Sequence, residues 1–188
     1  MKKAAFLDRD GVINVDHGYV FRREDFEWVD GAVEGMKKLS ELGYVLVVVT
    51  NQSGIGRGYY SEQDFLDLCE WMKRSLAERG VEIARICYCP HHPSKALPEY
   101  LKDCGCRKPR PGMILQAAQE LSIDLSRSVM LGDKPSDVDA ALAAGIPSRF
   151  ILSKNGSGEP EHAENATASS RNLLEAAERL QYECGSAH

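Results

Sequence analysis

The apolar positions along the chain follow two spacings, one typical of buried strands and one typical of helices. Strand-sized segments lie at 4–7, 44–50, 81–89, 128–133 and 148–152; the first two are almost continuously apolar, and 81–89 mixes polar and apolar residues. Segments with apolar residues at every third or fourth position lie at 31–43, 61–80, 111–123, 135–145 and 171–183. The first kind predicts buried strands and the second predicts amphipathic helices. Their alternation predicts an α/β fold, a three-layer sandwich around a central, mostly parallel sheet.

The remaining segments predict a single domain over 1–188 without a large cap domain. One helix and one strand nearly fill the interval between Asp10 and Thr50. After the fifth strand, 153–170 is polar and contains glycine, which predicts a loop, and 171–188 predicts a final helix and tail. We therefore expect an open site that loops cover, in a protein that acts as a monomer.

Composition and charge narrow the function classes. The net charge of −5 and the pI near 5.6 argue against a general nucleic-acid binder, which would be basic, but they allow a small anionic substrate. No apolar run approaches the ~20 residues that cross a bilayer. The apolar stretch after Lys2-Lys3 ends at Asp8, too early for an export signal. We expect a cytoplasmic protein with no membrane partner and no nucleic-acid partner.

Polar residues follow the predicted strands at their carboxyl ends, where open parallel sheets bind ligands. The segments expected on this rim are Asp8 to Asp10, Thr50 to Ser53, a Cys/His loop followed by Arg107-Lys108, and Asp133 to Asp137. If these residues only formed solvent-exposed turns, they would not be expected to collect at one end of the sheet. The sequence therefore predicts one functional crevice.

Carboxylates dominate that crevice, with Asp8, Asp10, Asp133 and Asp137 expected to converge. Several anions in one place require a cation, and oxygen-only ligands beside a phosphate favour Mg²⁺. A carboxylate such as Asp8 is able to attack phosphorus. Asp10 is able to act as general acid and base, provided that Gly11 lets the chain turn. For Asp137, a metal contact and a plain acid at a helix start both stay open.

The same crevice offers groups that suit a phosphate. Thr50 contributes a hydroxyl, Asn51 an amide, Lys108 a compact charge and Arg107 a bidentate fork. Such groups supply the positioning and charge stabilisation of which phosphoryl transfer mostly consists. Arg9, between the first two acids, is expected to point away from both and to form a structural ion pair.

Four segments resemble the motifs of the haloacid-dehalogenase-like phosphatases: DRDGVI at 8–13, VVTNQSG at 48–54, CRKPRPGM at 106–113 and GDKPSDVDAA at 132–141. They occur in the family's order, and each follows a predicted strand. The resemblance implies that Asp8 is the nucleophile and Asp10 the general acid and base, while Thr50 and Lys108 hold the phosphoryl group. It also implies Mg²⁺ bound by the Asp8 carboxylate, the Asp10 backbone carbonyl and Asp133.

Further segments resemble the sugar-bisphosphate phosphatases of that family: INVDHGYV at 13–20, TNQSGIGRG at 50–58 and YCPHHP at 88–93. The substrate contacts that this resemblance implies are Asp16, His17, Gly18, Tyr19, Thr50, Asn51, Gln52, Ser53, Arg107, Lys108 and Lys134. His17 is also compatible with a plain exposed histidine, and Gln52 and Ser53 with a helix cap. Two other functions stay open: a histidinol-phosphate phosphatase, whose group has a similar zinc-bearing core, and a non-catalytic, zinc-stabilised interaction module.

The segment 89–106 carries four potential metal ligands, in the pairs Cys89-x-His91 and Cys104-x-Cys106. In a reducing cytosol these cysteines do not predict disulfides. Three thiolates and one imidazole are a tetrahedral zinc set, and the family resemblance assigns the same four positions to Zn²⁺.

A closed ligand set of this kind predicts a structural metal. It would pin a long loop that has no core of its own, and would so place Arg107-Lys108 beside the crevice. At the first end of the loop, His92 and Cys87 are the alternative ligands.

Overall fold

The computed structural model describes residues 1–185, so the last part of the predicted tail, 186–188, lies outside the described residues. The strands are β1 (Lys3–Leu7), β2 (Tyr44–Asn51), β3 (Ile83–Cys89), β4 (Val129–Gly132), β5 (Ser148–Leu152) and β6 (Ala168–Ser170). They form one sheet in the order β3-β2-β1-β4-β5-β6, and all neighbouring strands run parallel. This arrangement confirms the predicted α/β class.

Helices cover both faces of the sheet. They are α1 (Ala32–Glu41), α2 (Ser53–Gly56), α3 (Glu62–Ala77), α4 (Gly112–Leu121), α5 (Pro135–Ala143) and α6 (Leu173–Gly185). Along β1, Ala5 and Leu7 belong to the core that α1, α3 and α6 cover, whereas Ala4 and Phe6 belong to the core beneath α4 and α5. All four are completely buried, because successive residues of a central strand face opposite layers.

The prediction of a loop over 153–170 is wrong at its carboxyl end, where a strand forms. Lys154–Gly156 forms a 3₁₀ turn, and Ala168–Ser170 forms the edge strand β6 beside β5. β6 has the sequence Ala-Ser-Ser and no alternation of apolar residues, so it forms through backbone pairing that hydrophobic patterning does not reveal. The one-turn helix α2 was not predicted either, since its sequence, Ser-Gly-Ile-Gly, lacks helical periodicity.

The interval between Asp10 and Thr50 contains a 3₁₀ turn at Arg23–Asp25, α1 and most of β2. No domain is inserted there, as expected from the spacing, and the carboxyl end of the sheet therefore stays open. None of the helices in residues 1–185 combines the length and the apolar character needed to cross a membrane.

Candidate active site

A cleft of about 570 Å³ lies beyond the carboxyl ends of β1, β2 and β4. Its walls contain these predicted site residues: Asp10, Asp16, Gly18, Tyr19, Asn51, Gln52, Ser53, Arg107, Lys108 and Lys134. A smaller recess beside it reaches Asp8 and Asp137. The structure thus brings together nearly all the residues that the sequence placed in one crevice.

Thr50 and His17 are the two predicted substrate residues outside the cleft lining. Thr50 is 1% exposed, and its Oγ1 accepts a hydrogen bond from Gln52 Nε2 at 2.9 Å. Because that contact uses a lone pair, the Thr50 hydroxyl keeps its proton free to donate. His17 lines a separate recess, where its half-exposed ring contacts Glu27 at 3.0 Å.

Three carboxylates crowd the bottom of the site: Asp8, Asp133 and Asp137 have oxygens within 4.8 Å of one another, and all three residues are buried. Burial, and then Asp137, raise the pKa of Asp8. Burial, with Asp8 and Asp137, raises the pKa of Asp133 to about 8. Neither Asp133 oxygen has a hydrogen-bond partner among the described residues. Because a buried, unpaired carboxylate is costly, this oxygen-rich set fits a hard divalent cation such as Mg²⁺.

Gly11 makes the close approach of Asp133 to the first motif possible. Its φ of +88° favours glycine, and a Cβ at this position would overlap the Asp133 carboxylate. The turn after Asp10 and the position of the third acid therefore depend on the same glycine.

Lys108 supplies the compensating charge at the bottom of the site. Its Nζ lies 3.0 Å from Asp8 Oδ1, 2.5 Å from Asp137 Oδ1 and 2.7 Å from the carbonyl oxygen of Val49. Burial lowers the pKa of Lys108, but Asp137 and Asp8 outweigh burial and raise it. Nζ donates hydrogen bonds to Asp8 and to the Val49 carbonyl and forms an ion pair with Asp137, so Lys108 acts here as a fixed charge. Asp137 is paired with this lysine rather than exposed at a helix start.

Asp10 is held by three donors, and one of them corrects the sequence prediction. Arg9 Nη2 lies 2.7 Å and Asn14 Nδ2 3.0 Å from Asp10 Oδ1, while Gln52 Nε2 lies 3.1 Å from Oδ2. The expectation that Arg9 points away from both acids is wrong with respect to Asp10. Strand alternation does not apply to Arg9 because β1 ends at Leu7, and the buried guanidinium turns back to form the ion pair.

Sequence reasoning missed Lys154 and Asn155, which fasten the predicted substrate loop. Lys154 Nζ lies 3.0 Å from Asp16 Oδ2, and Asn155 Oδ1 accepts from the Asp16 backbone N–H at 2.8 Å. The Asn155 N–H donates to the carbonyl of Gly11 at 2.9 Å. Burial acts to raise the pKa of Asp16, but hydrogen bonds from Lys154 and the Gly18 N–H lower it. The sequence offered one signal for Lys154 and Asn155: both lie just after β5, at the same carboxyl-end rim as the other site residues.

The second cluster joins Cys89, His91, Cys104 and Cys106, whose ligand atoms lie within 4.8 Å of one another. The Sγ–Sγ distances are 3.0 to 3.4 Å, and His91 Nδ1 lies 3.7 Å from Cys89 Sγ and 3.6 Å from Cys106 Sγ. His92 is engaged elsewhere, because its Nδ1 accepts from the backbone N–H groups of residues 94 and 95. These four residues therefore fit a tetrahedral metal ion better than a set with His92.

Backbone contacts link the Cys/His cluster to the cleft. Cys89 is the register partner of Asn51 across β2 and β3, and its carbonyl accepts from the Gln52 N–H at 2.8 Å. The Asn51 side chain in turn forms two hydrogen bonds with the backbone of Lys108, at 3.0 and 3.1 Å. The Cys/His cluster, the second motif and Lys108 thus form one connected set.

The fold and this site define the class of haloacid-dehalogenase-like hydrolases. The paired aspartates follow β1, Thr50 lies at the carboxyl end of β2, Lys108 precedes α4 and Asp133 follows β4. The HAD-hydrolase-like family model matches residues 105–177. The chain belongs to the D-glycero-D-manno-heptose-1,7-bisphosphate 7-phosphatase family.

Two relatives and one crystal structure carry that assignment. The D-glycero-β-D-manno-heptose-1,7-bisphosphate 7-phosphatase of Photorhabdus laumondii is 52% identical over 161 residues, 86% of this chain and 84% of that protein. The enzyme of the same organism named for the α anomer is 49% identical over 167 residues, 89% of this chain and 91% of that one. The D,D-heptose 1,7-bisphosphate phosphatase of B. bronchiseptica, crystallised with magnesium and phosphate, has a TM-score of 0.81 and 31% identity, covering 96% and 99% of the two chains.

Proposed function

We propose that the chain is a Mg²⁺-dependent phosphatase that removes the C7 phosphate of D-glycero-D-manno-heptose 1,7-bisphosphate through an aspartyl-phosphate on Asp8. The names of the relatives support the substrate, and the magnesium and phosphate in the B. bronchiseptica structure support the chemistry. The strongest structural support is the buried Asp133 carboxylate, which has no hydrogen-bond partner among residues 1–185 and lies beside Asp8. In this role the enzyme supplies ADP-heptose synthesis for the lipopolysaccharide core, as a cytoplasmic monomer.

The reaction begins when Asp8 attacks phosphorus and the bond between phosphorus and the C7 oxygen breaks. Asp10 lines the cleft and is anchored through Oδ1, so its other oxygen is positioned to protonate the leaving C7 oxygen. Water then attacks the phosphorus of the aspartyl-phosphate, and Asp10 takes the proton that this water loses. The products are the sugar monophosphate and inorganic phosphate, and both acids return to their starting states.

The residues that would hold Mg²⁺ are Asp8, Asp133 and the backbone carbonyl of Asp10. When bound, the ion offsets the charge of the acids and of the phosphoryl group. Lys108 stays fixed between Asp8 and Asp137, and it keeps the nucleophile oriented. The free proton of the Thr50 hydroxyl is available for a phosphoryl oxygen.

The second phosphate of the substrate needs its own cation, and Arg107 is the group we assign to it. Arg107 lines the cleft, and one of its guanidinium nitrogens contacts the carbonyl of His91 at 3.4 Å. The remaining N–H groups are free to form a bidentate contact with a phosphate. Lys134, Gly18 and Tyr19 line the same cleft and are proposed to contact the sugar.

We also propose that Cys89, His91, Cys104 and Cys106 bind one structural Zn²⁺. The set of three sulfurs and one imidazole supports zinc, and it leaves no open coordination position for chemistry. The metal would keep Arg107 at the cleft, because Arg107 directly follows the last ligand.

Comparative kinetics test the substrate. We expect kcat/KM for either anomer of the heptose bisphosphate to exceed that for histidinol phosphate by at least about 100-fold, because only a bisphosphate engages Arg107 as well. Higher kcat/KM on histidinol phosphate would make the chain an enzyme of the alternative group. Absence of hydrolysis of any phosphate ester, with Mg²⁺ present, would support the non-catalytic module. The ratio between the two anomers assigns the preferred one.

A further inference from the structure

The side-chain amide of Gln52 is buried and joined to three other groups. It is 2% exposed. Its Nε2 lies 3.1 Å from Asp10 Oδ2 and 2.9 Å from Thr50 Oγ1, and its Oε1 accepts from the Tyr60 hydroxyl at 2.5 Å. A residue that the motif suggested as a substrate contact is therefore engaged with two predicted catalytic side chains.

The chemistry of these partners fixes which way the amide faces. A carboxylate only accepts hydrogen bonds, so Asp10 requires the NH₂ end of Gln52. The opposite end, Oε1, then faces the Tyr60 hydroxyl, which donates to it. The reversed amide would place Oε1 3.1 Å from Asp10 Oδ2, so that two acceptors would face each other and the carboxylate oxygen would lose its donor.

Tyr60 is itself held firmly. Its ring is 6% exposed and stacks on Phe21, with centroids 5.0 Å apart and planes 10° from parallel. Gly54 allows the ring to lie directly over the backbone, since a Cβ there would overlap it. The hydroxyl is thus presented to Gln52 by a side chain with little freedom to move.

The two oxygens of Asp10 are used differently. Oδ1 accepts from both Arg9 and Asn14, whereas Oδ2 accepts from Gln52. Oδ2 therefore has the remaining capacity to carry a proton. Gln52 sets where this oxygen lies.

We propose that Tyr60 and Gln52 are positioning residues that aim Asp10 Oδ2 at the leaving oxygen of the substrate. Tyr60 acts through Gln52, and Gln52 acts through Asp10. The proposal rests on the proposed phosphatase chemistry, in which Oδ2 gives its proton to the leaving oxygen as the P–O bond breaks and regains one from the attacking water. It does not depend on which sugar is hydrolysed.

The dependence of kcat/KM on the leaving group distinguishes a misplaced proton donor from a general loss of structure or of phosphate binding. An alkoxide leaving group needs protonation as the P–O bond breaks, whereas p-nitrophenolate is stable enough to leave without it. The ratio kcat/KM reports the steps up to formation of the aspartyl-phosphate, where this difference applies. A misaimed Asp10 therefore slows alkyl esters selectively.

The test compares Tyr60→Phe and Gln52→Met with the unchanged protein. The substrates are the heptose bisphosphate, glycerol phosphate and p-nitrophenyl phosphate. We expect kcat/KM on the alkyl esters to fall about 5-fold in Tyr60→Phe and about 50-fold in Gln52→Met, less than the roughly 10²- to 10⁴-fold that a general acid contributes in full. On p-nitrophenyl phosphate we expect the loss in each variant to be smaller, by about 3-fold or more, than its loss on the alkyl esters, because the aryl leaving group does not need the proton. Tyr88→Phe is the matched control, because its hydroxyl contacts Glu62, outside the cleft lining, and we expect no change.

Each outcome decides the proposal. Equal losses on alkyl and aryl esters, or no loss on either, would overturn it, the former indicating a structural role alone. If Tyr60→Phe does not fold, the same comparison in Gln52→Met decides. If glycerol phosphate is hydrolysed and the heptose bisphosphate is not, the proposed substrate is wrong while the leaving-group comparison still applies. If no ester is hydrolysed, the chemistry and the positioning role both fail.

Discussion

The carboxylate site and the Cys/His loop lie side by side, yet different forces hold them. Asp8 and Asp133 directly follow β1 and β4, whose apolar residues are completely buried. The loop 90–105 has a single 3₁₀ turn, Pro98–Tyr100, as its regular structure in the described chain, and it leaves Leu97 and Leu101 about half exposed. The hydrophobic core positions the first region, whereas the second has little core of its own and would depend on the proposed metal ligands.

If both proposed metals bind, they have different tasks: Mg²⁺ would offset charge at the carboxylate site, and Zn²⁺ would stabilise a loop that lacks a hydrophobic core. At the rim the protein core forces three acids together, and a cation relieves repulsion that already exists. In the loop the proposed Zn²⁺ would favour the arrangement in which its ligands converge, so that its binding energy would become folding energy. Loss of Mg²⁺ should therefore abolish activity and leave the fold, while loss of Zn²⁺ should damage the fold first.

The largest expected effect is that of Asp8→Asn on activity. We expect kcat to fall by at least about 10³-fold, because an amide does not attack phosphorus. The melting temperature should stay equal or rise, since the pKa of Asp8 is raised by burial and by Asp137, which means that its charge is unfavourable in the folded state. Turnover and thermal unfolding are measured on the same preparation. Turnover like that of the unchanged enzyme would exclude Asp8 as the nucleophile.

Cys104→Ser should have the next largest effect, on stability. We expect loss of about one bound zinc per chain and a decrease of about 3 kcal/mol or more in the free energy of unfolding. Activity should fall less, by about 10-fold, through displacement of Arg107. Metal analysis and urea unfolding provide the measurements.

Cys87→Ser is the matched control for this loop. Cys87 and Cys104 are equally buried, at 6% and 7% exposure, but Cys87 lies outside the group of close ligand atoms. The control should keep its zinc and lose only about 1 kcal/mol, as is typical of a single buried substitution. Equal losses of zinc in both variants would contradict the proposed ligand set.

The raised pKa of Asp133 predicts that the free energy of unfolding depends on pH, an effect that we do not expect from the Cys/His loop. Without Mg²⁺, burial together with Asp8 and Asp137 raises the pKa of Asp133 from 3.8 to about 8. Between these values the unfolded chain releases the proton and the folded protein keeps it. The contribution of Asp133 to the free energy of unfolding therefore falls as pH rises through this window, by up to about 1.4 kcal/mol per pH unit.

Urea unfolding at pH 5 to 8 in magnesium-free buffer measures this decline. Asp133→Asn should lack the contribution and show a flatter profile, and saturating Mg²⁺ should flatten the profile of the unchanged protein. The same slope in the variant and in the unchanged protein would show that Asp133 does not titrate in this range.

The sequence predicts those features of the two regions that leave a periodic apolar pattern or a motif at a fixed spacing. Five strands, the helices beside them and the rim position of Asp8 and Asp133 follow from buried runs and the carboxyl-end rule. β6 and the direction of Arg9 do not follow, because backbone pairing and a side chain turning back after the strand end leave no periodic signal. Lys154 and Asn155 lie where the carboxyl-end rule applies, but their polar surroundings resemble any loop.

Substitutions at Lys154 and Asn155 should have the smallest effects. They test whether these two residues belong to the functional rim of the sheet. Lys154→Ala removes an ion pair with Asp16 in which the lysine is about half exposed, so stability should change by less than about 1 kcal/mol. The substrate loop loses a constraint, and KM for the sugar phosphate should rise about 3-fold with kcat unchanged.

Asn155→Ala should act more strongly, because Asn155 bonds the backbone of both Asp16 and Gly11 and holds a φ of 59°, which alanine adopts at a cost. Steady-state kinetics on both variants checks this order. A larger increase of KM in Lys154→Ala than in Asn155→Ala would mean that charge, rather than backbone anchoring, holds the loop to the rim.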